Sequence, residues 1–286
     1  MHKTSGIMML TGAIGAFLLV TLGVFAETSS RPDTSSGPSF KHVLSIDVVA
    51  KFITTDYMGN IYVVKQSEIV KYSSEGMQIS SFSDRNAGTI TSVDASNPLR
   101  VQVFYQDFGQ IIYLDDVLSV IGSKISLLDQ GLDQATLSCS SWDDGIWLYD
   151  PQDFQLKRMG SDLSLSQQSG NINQLLDVEI NPICVLEKNN YVYLNDPAIG
   201  ILVFDQFGTY FKTLPVRGIV HFQVGAEQLF YLLDGHLMSY DLKTFQYADL
   251  PISSDGETIL DLRFEKESKL LVVLKEKSLE LFVFED

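Results

Sequence analysis

The chain has 286 residues, of which 45% are apolar and 11% aromatic, with 36 acidic against 20 basic side chains and a net charge of −16. That apolar content excludes an intrinsically disordered protein. The acidity repels phosphate backbones and anionic headgroups, which excludes nucleic-acid and membrane-surface roles.

Residues 1–26 stand apart from the rest. Lys3 is followed by an uncharged apolar stretch from Ile7 to Phe25, and Val24-Phe25-Ala26 places small residues at −3 and −1 of a cleavage site. This pattern predicts a secretory signal peptide cleaved after Ala26, and hence a periplasmic or secreted protein without stable membrane insertion. An uncleaved anchor is the alternative, since the stretch can span a bilayer when tilted. No cysteine follows the apolar run, which excludes a lipoprotein anchor. Residues 27–39 are rich in Ser, Thr and Pro and predict a disordered polar spacer.

From residue 40 to 286 one phrase recurs: a turn, a short apolar strand, a second turn, a second strand. Clear copies start at Asp56 (Asp-Tyr-Met-Gly-Asn-Ile-Tyr-Val-Val), Asp107, Asp143 and Lys188, and weaker ones at Ala226 and Glu267. Marked by Gly59, Gly109, Gly145, Asn190, Gln228 and Lys269, the five intervals from 59 to 269 average 42 residues. A period of that size made of short strands predicts an all-β, six-bladed β-propeller, one blade per repeat.

In chain order the expected repeats cover 52–98, 99–134, 135–182, 183–218, 219–258 and 259–286. In the second, the inner strand is expected at 100–105. Asn97-Pro98 and Asn181-Pro182 look like punctuation opening inner strands. The sixth repeat supplies only three strands, at 260–264, 270–274 and 279–284. The segment 42–48, from His42 to Val48, precedes the first repeat and has none of its own. Pairing it beside 279–284 completes the last blade and removes the open sheet edges.

The phrase at 56–63 with its continuation Ile69-Val-Lys-Tyr-Ser-Ser-Glu-Gly76 resembles an NHL-type repeat, and 200–208 is similar to the second half of that motif. The whole is similar to uncharacterised exported propeller proteins of Gram-negative bacteria. The resemblance implies an interaction scaffold in most members, and in a minority a lyase or lactonase with a metal in the central channel.

Ligand sites in propellers gather where inner strands end at one mouth of the channel. The binding candidates there are Asp56, Tyr105, Trp142, Asp143 and His221, with Tyr57, Asp107, Asp144, Glu187 and Glu265 near them. No catalytic residue, metal ligand or cofactor is expected. His42, His221 and His236 are too scattered for a transition-metal site. Asp115-Asp116 and Asp143-Asp144 sit in turns, where Asp caps backbone. Cys139 and Cys184 share the repeat position of Ile53, Val103 and Phe222, a packing column. They are expected as structural thiols, with a Cys139–Cys184 disulfide as the alternative. The function expected is a non-enzymatic scaffold for another envelope or secreted protein. The alternative is a carbohydrate- or peptidoglycan-binding propeller, or a metal-dependent hydrolase or lyase, that uses a pocket at the channel mouth.

Overall fold

Each turn of the recurring phrase folds the chain back into an antiparallel partner, so four successive strands make one sheet. The computed structural model describes residues 39–252 and 256–285. The signal peptide expected over 1–26, its cleavage after Ala26 and the spacer up to residue 38 lie outside those residues. Among the described residues no helix is long and apolar enough to cross a membrane.

Blade 1 comprises β2 (Phe52–Thr55), β3 (Ile61–Val64), β4 (Glu68–Tyr72) and β5 (Gln78–Ser83), and blade 2 comprises β6 (Ser92–Asp94), β7 (Val101–Tyr105), β8 (Gln110–Leu114) and β9 (Val120–Ser126). Blade 3 is β10 (Leu137–Ser140), β11 (Ile146–Asp150), β12 (Gln155–Met159) and β13 (Leu165–Gln168). Blade 4 is β14 (Cys184–Lys188), β15 (Tyr191–Asp196), β16 (Gly200–Asp205) and β17 (Tyr210–Leu214). Blade 5 is β18 (Phe222–Val224), β19 (Gln228–Leu233), β20 (His236–Asp241) and β21 (Tyr247–Leu250). Blade 6 takes β22 (Ile259–Glu265), β23 (Leu270–Lys275) and β24 (Ser278–Glu285) from the end of the chain and β1 (Ser39–Asp47) from its start.

The last blade is closed by that first strand, as expected. β1 pairs antiparallel with β24 from Ser39↔Glu285 to Asp47↔Ser278. It starts three residues earlier than the sequence pattern suggests, because Phe40 is apolar and buried. Its ring meets Phe264 edge-on at 5.5 Å and Phe284 at 5.1 Å. Gly76 (φ +80°), in the turn from β4 to β5, packs on this strand, and a Cβ there would collide with the Leu44 side chain.

The core is divided into six apolar clusters, one at each seam between neighbouring blades. Along β3, Tyr62 and Val64 face blade 2, whereas Ile61 and Val63 face blade 6. Alternate side chains of a strand point to opposite faces, and here both faces are covered. That explains why the middle strand β3 is apolar throughout and β8 and β23 are apolar but for one terminal residue each, Gln110 and Lys275. Each fully buried Leu, Ile or Val side chain contributes about 1.5–3 kcal/mol.

Blade 2 departs from the expected frame. Its inner strand is β6, and residues 101–105 of the expected inner strand form the second strand, β7. Asn97-Pro98 therefore sits in the hairpin turn between β6 and β7, whereas Asn181-Pro182 does precede an inner strand, β14. Gly109 closes the second hairpin of its blade, while Gly59 and Gly145 lie in the first hairpins of theirs. Val103 accordingly leaves the column of Ile53, Cys139, Cys184 and Phe222. The reason is composition: β6 is Ser-Val-Asp, too short and too polar to show as a strand in the hydropathy pattern.

Candidate functional site at the channel mouth

Inner strands tolerate polar side chains, because they face a central channel. That channel has a volume of about 880 Å³ and is lined by inner-strand residues of all six blades. The first hairpin turn of every blade lies at the same end, since all inner strands run the same way around the ring. These turns form the mouth.

Polar side chains on the inner strands tie blade to blade. Asp94 of blade 2 accepts the Ser140 N–H of blade 3 at 2.8 Å, Gln223 of blade 5 accepts the Phe264 N–H of blade 6 at 2.7 Å, and Asp261 of blade 6 accepts the Ile53 N–H of blade 1 at 3.0 Å. Glu187 of blade 4 reaches back to blade 3, accepting from Trp147 Nε1 at 2.6 Å, Ser141 Oγ at 2.7 Å and Trp142 N at 3.3 Å. Glu265 accepts from Thr55 Oγ1 at 2.5 Å and Gln223 Nε2 at 3.1 Å.

Three of the five binding candidates lie at the mouth. Asp56 is buried and shapes its own turn: its carboxylate accepts from Met58 N, Asn60 N, Asn60 Nδ2 and Tyr62 OH at 2.8–3.0 Å. Burial, reinforced by the Asp56 charge, pushes the Tyr62 hydroxyl pKa far up. Trp142 is 70% exposed at the tip of the turn in blade 3. Asp143 beside it is ion-paired with Arg158, whose hydrogen bond holds the carboxyl below the usual range.

His221 lies at the far end of the channel, where the inner strand of blade 5 begins. Its Nδ1 is 3.3 Å from Asp261 Oδ2, and its ring lies 5.9 Å from that of Phe52. Tyr105 does not line the channel. It ends the second strand of blade 2, is fully buried in the cluster between blades 1 and 2, and its hydroxyl has no hydrogen-bond partner. Its expected place at the mouth came from reading β7 as an inner strand.

Asp94, Gln223 and Asp261 were not among the candidates. Gln223 is marked in the sequence as a single polar residue between two apolar ones, whereas Asp94 and Asp261 share their strands with other polar residues, Ser92 and Arg263. Burial alone would raise the Asp261 carboxyl; the Arg263 guanidinium at 2.7 Å, His221 and the Ile53 N–H outweigh it and hold the group below the usual carboxylate range. Cys139 and Cys184 are both free and both line the channel. Burial pushes the Cys139 thiol well up and the Cys184 thiol to about 11. Among the described residues no three His, Cys, Asp or Glu side chains gather in a group that could hold a metal ion.

No protein-family model and no curated protein matches the sequence. Solved structures match the fold. Virginiamycin B lyase from Staphylococcus aureus superposes with a TM-score of 0.61 at 11% identity, over 86% of this chain and 99% of the other. The Pan2 WD40 domain of Neurospora crassa gives 0.60 at 8% identity over 85% and 95%. A streptogramin B lyase gives 0.59 at 9% identity over 87% and 98%. At such identities the likeness establishes the propeller fold and nothing about activity.

Proposed function

We propose that this propeller is a non-enzymatic binding scaffold for another protein of the cell envelope, exported by way of the segment up to Ala26 to the periplasm or beyond. One observation carries the reading: inner-strand carboxylates that a catalytic propeller would aim into its channel are engaged between blades. Asp94, Glu187, Asp261 and Glu265 each hold a neighbouring blade by hydrogen bonds. A carboxylate fixed in that way is a structural tie, and protonating it would loosen the ring. The NHL-type resemblance of 56–63 with 69–76, and of 200–208, leads to the same kind of role.

Crosslinking the tagged full-length protein in its native envelope, followed by mass spectrometry, tests this. One dominant captured protein, with crosslinks mapping to the propeller, is the expected result. An absence of any enriched protein overturns it.

The channel volume of about 880 Å³ favours a second reading, a pocket for a glycan or other small ligand, with or without hydrolase or lyase chemistry. The fold neighbours include both a WD40 domain and lyases, so the architecture accommodates either role. A thermal-shift screen with glycans and divalent cations separates them: a ligand-dependent rise in Tm supports the pocket.

A further inference from the structure

We infer that the channel binds a short neutral saccharide, its hydroxyls on Arg263, Glu265 and Thr54 and its ring over Phe52 and His221. This rests on the pocket reading above and names the ligand class and the residues that take it.

The channel has room for such a ligand: about 880 Å³, against roughly 300–1,000 Å³ for small-molecule pockets. Its wall holds a cation with unused donors. Arg263 is 9% exposed and lines the channel. A guanidinium has five N–H groups. Nη1 spends its two on Asp261 Oδ1 and the Leu262 carbonyl, both at 2.7 Å. Those on Nε and Nη2 have no partner among the described residues. Buried donors are seldom left open, because an unmade hydrogen bond of a charged group is costly.

An open acceptor stands on the same strand. Glu265 spends Oε1 on Thr55 Oγ1 and Gln223 Nε2 and leaves Oε2 without a partner among the described residues. Alternate residues of a strand share a face, so Arg263 and Glu265 can serve one ligand. Thr54 adds a hydroxyl from blade 1, also without a partner among the described residues. A hydroxyl both donates and accepts. Neighbouring hydroxyls of a sugar can therefore accept from Arg263 and donate to Glu265 at once.

The far end supplies an aromatic floor. Phe52 and His221 are half-buried channel residues with ring centroids 5.9 Å apart. Asp261 links them to the guanidinium: Oδ1 holds Arg263, and Oδ2 lies 3.3 Å from His221 Nδ1. The C–H face of a sugar, slightly positive, is drawn to the negative face of an aromatic ring.

Charge selects a neutral ligand. Arg263 is already paired with Asp261, while Asp94, Glu187 and Glu265 also line the channel, so an anion is repelled. At the mouth Lys188 and Lys266 stand among Asp56, Glu227, Asp241 and Glu267, and acids outnumber bases there too. A cation gains little from these inner-strand acids. Asp94 and Glu187 are occupied by donors of blade 3, and the open oxygen of Glu265 is on the strand that carries the Arg263 charge.

The test titrates full-length protein with glucose, N-acetylglucosamine, maltose and cellobiose, read by calorimetry and thermal shift. Glucosamine and glucuronic acid are the charged counterparts. Saturable binding of at least one neutral sugar is expected, ~10-fold or more tighter than either charged one. Thr54→Phe, which fills the channel without removing a tie between blades, should abolish it. Arg263→Lys keeps a charge for Asp261 but loses the open fork, and should weaken it ~10-fold. Glu265→Gln keeps Oε1 and should weaken it several-fold. Circular dichroism and Tm of each free variant separate lost contact from lost fold. Undiminished binding in all three folded variants overturns the inference. If a charged sugar binds and Thr54→Phe blocks it while the neutral ones do not bind, the ligand class is overturned and the pocket stands. If no sugar and no divalent cation binds, both fall.

Discussion

Asp261 Oδ2 accepts the backbone N–H of Ile53 at 3.0 Å, joining the inner strand of the last blade to that of the first. The carboxylate is 2% exposed and also holds the Arg263 guanidinium at 2.7 Å. Asp261→Ala leaves a buried cation and a buried N–H without their acceptor. The expected loss is about 3–5 kcal/mol, read from the urea midpoint. An unchanged midpoint would remove Asp261 from the list of groups that hold the seam.

The same group sets an acid dependence. Its folded pKa lies below the ordinary value of about 3.9, so the charged form favours the folded state. The stability it adds is complete above the unfolded value and is lost as pH falls through about 4 toward the folded value. Asp261→Asn should flatten that limb of the stability profile. Parallel profiles for the two proteins would contradict this.

Closure by β1 makes Phe40 a structural residue. Phe40→Ala empties a site between Phe264, Phe284 and the seam to blade 5, at a cost of about 3–5 kcal/mol. Removing 39–47 altogether exposes the long edge of β24, and light scattering should then report association. A monomer with the parent Tm would show that the ring does not need this strand.

The two thiols should be silent in the folded state. With a pKa of about 11, Cys184 is a thiolate to roughly one part in a thousand at pH 8. An aromatic disulfide reagent should react slowly with native protein, and with both cysteines in denaturant without reductant. Fewer than two reactive thiols in denaturant would mean that Cys139 and Cys184 are bridged.

Glu187 joins blades 3 and 4 through three donors. Glu187→Ala leaves the Trp147 Nε1–H and the Ser141 hydroxyl proton without their acceptor, although Ser141 Oγ still accepts from Arg158 Nε at 3.1 Å, and about 1–3 kcal/mol per buried group should be lost. Glu187→Gln keeps an acceptor and should lose less. Indole emission is the natural readout, since Trp147 is buried on the bond in question. Equal effects of Ala and Gln would show that the acceptor is dispensable.

The sequence and the structure agree where burial on two faces writes an apolar run. β3, β8, β15 and β23 could be placed to within a residue or two, and the unpartnered strand near His42 pointed to the closing blade. Five of the six inner strands were placed to within two residues as well, and agreement fails on that of blade 2, whose residues answer to the channel and to a neighbouring blade. Ser92-Val93-Asp94 shows one apolar residue, because Ser92 and Asp94 bond to blade 3. Missing it shifted blade 2 by one strand and moved Tyr105 to the mouth. Asp261 was overlooked for a related reason: its partner Ile53 is 208 residues away, beyond any local pattern. Trp142 and Asp143 were legible because a Trp next to two Asp and a Gly marks a turn carrying more than turn residues.

The pairing of β1 with β24 also fixes an order of events. During synthesis β1 emerges first among the described strands and waits for nearly the whole of the rest before its partner exists. Until then the growing chain is an open stack of blades with an unpaired edge at each end. Contacts so distant in sequence form slowly, and partly built β-sheets of this kind are prone to aggregate. Interruption anywhere before Ser278 therefore yields no smaller ring, only an unsealed one.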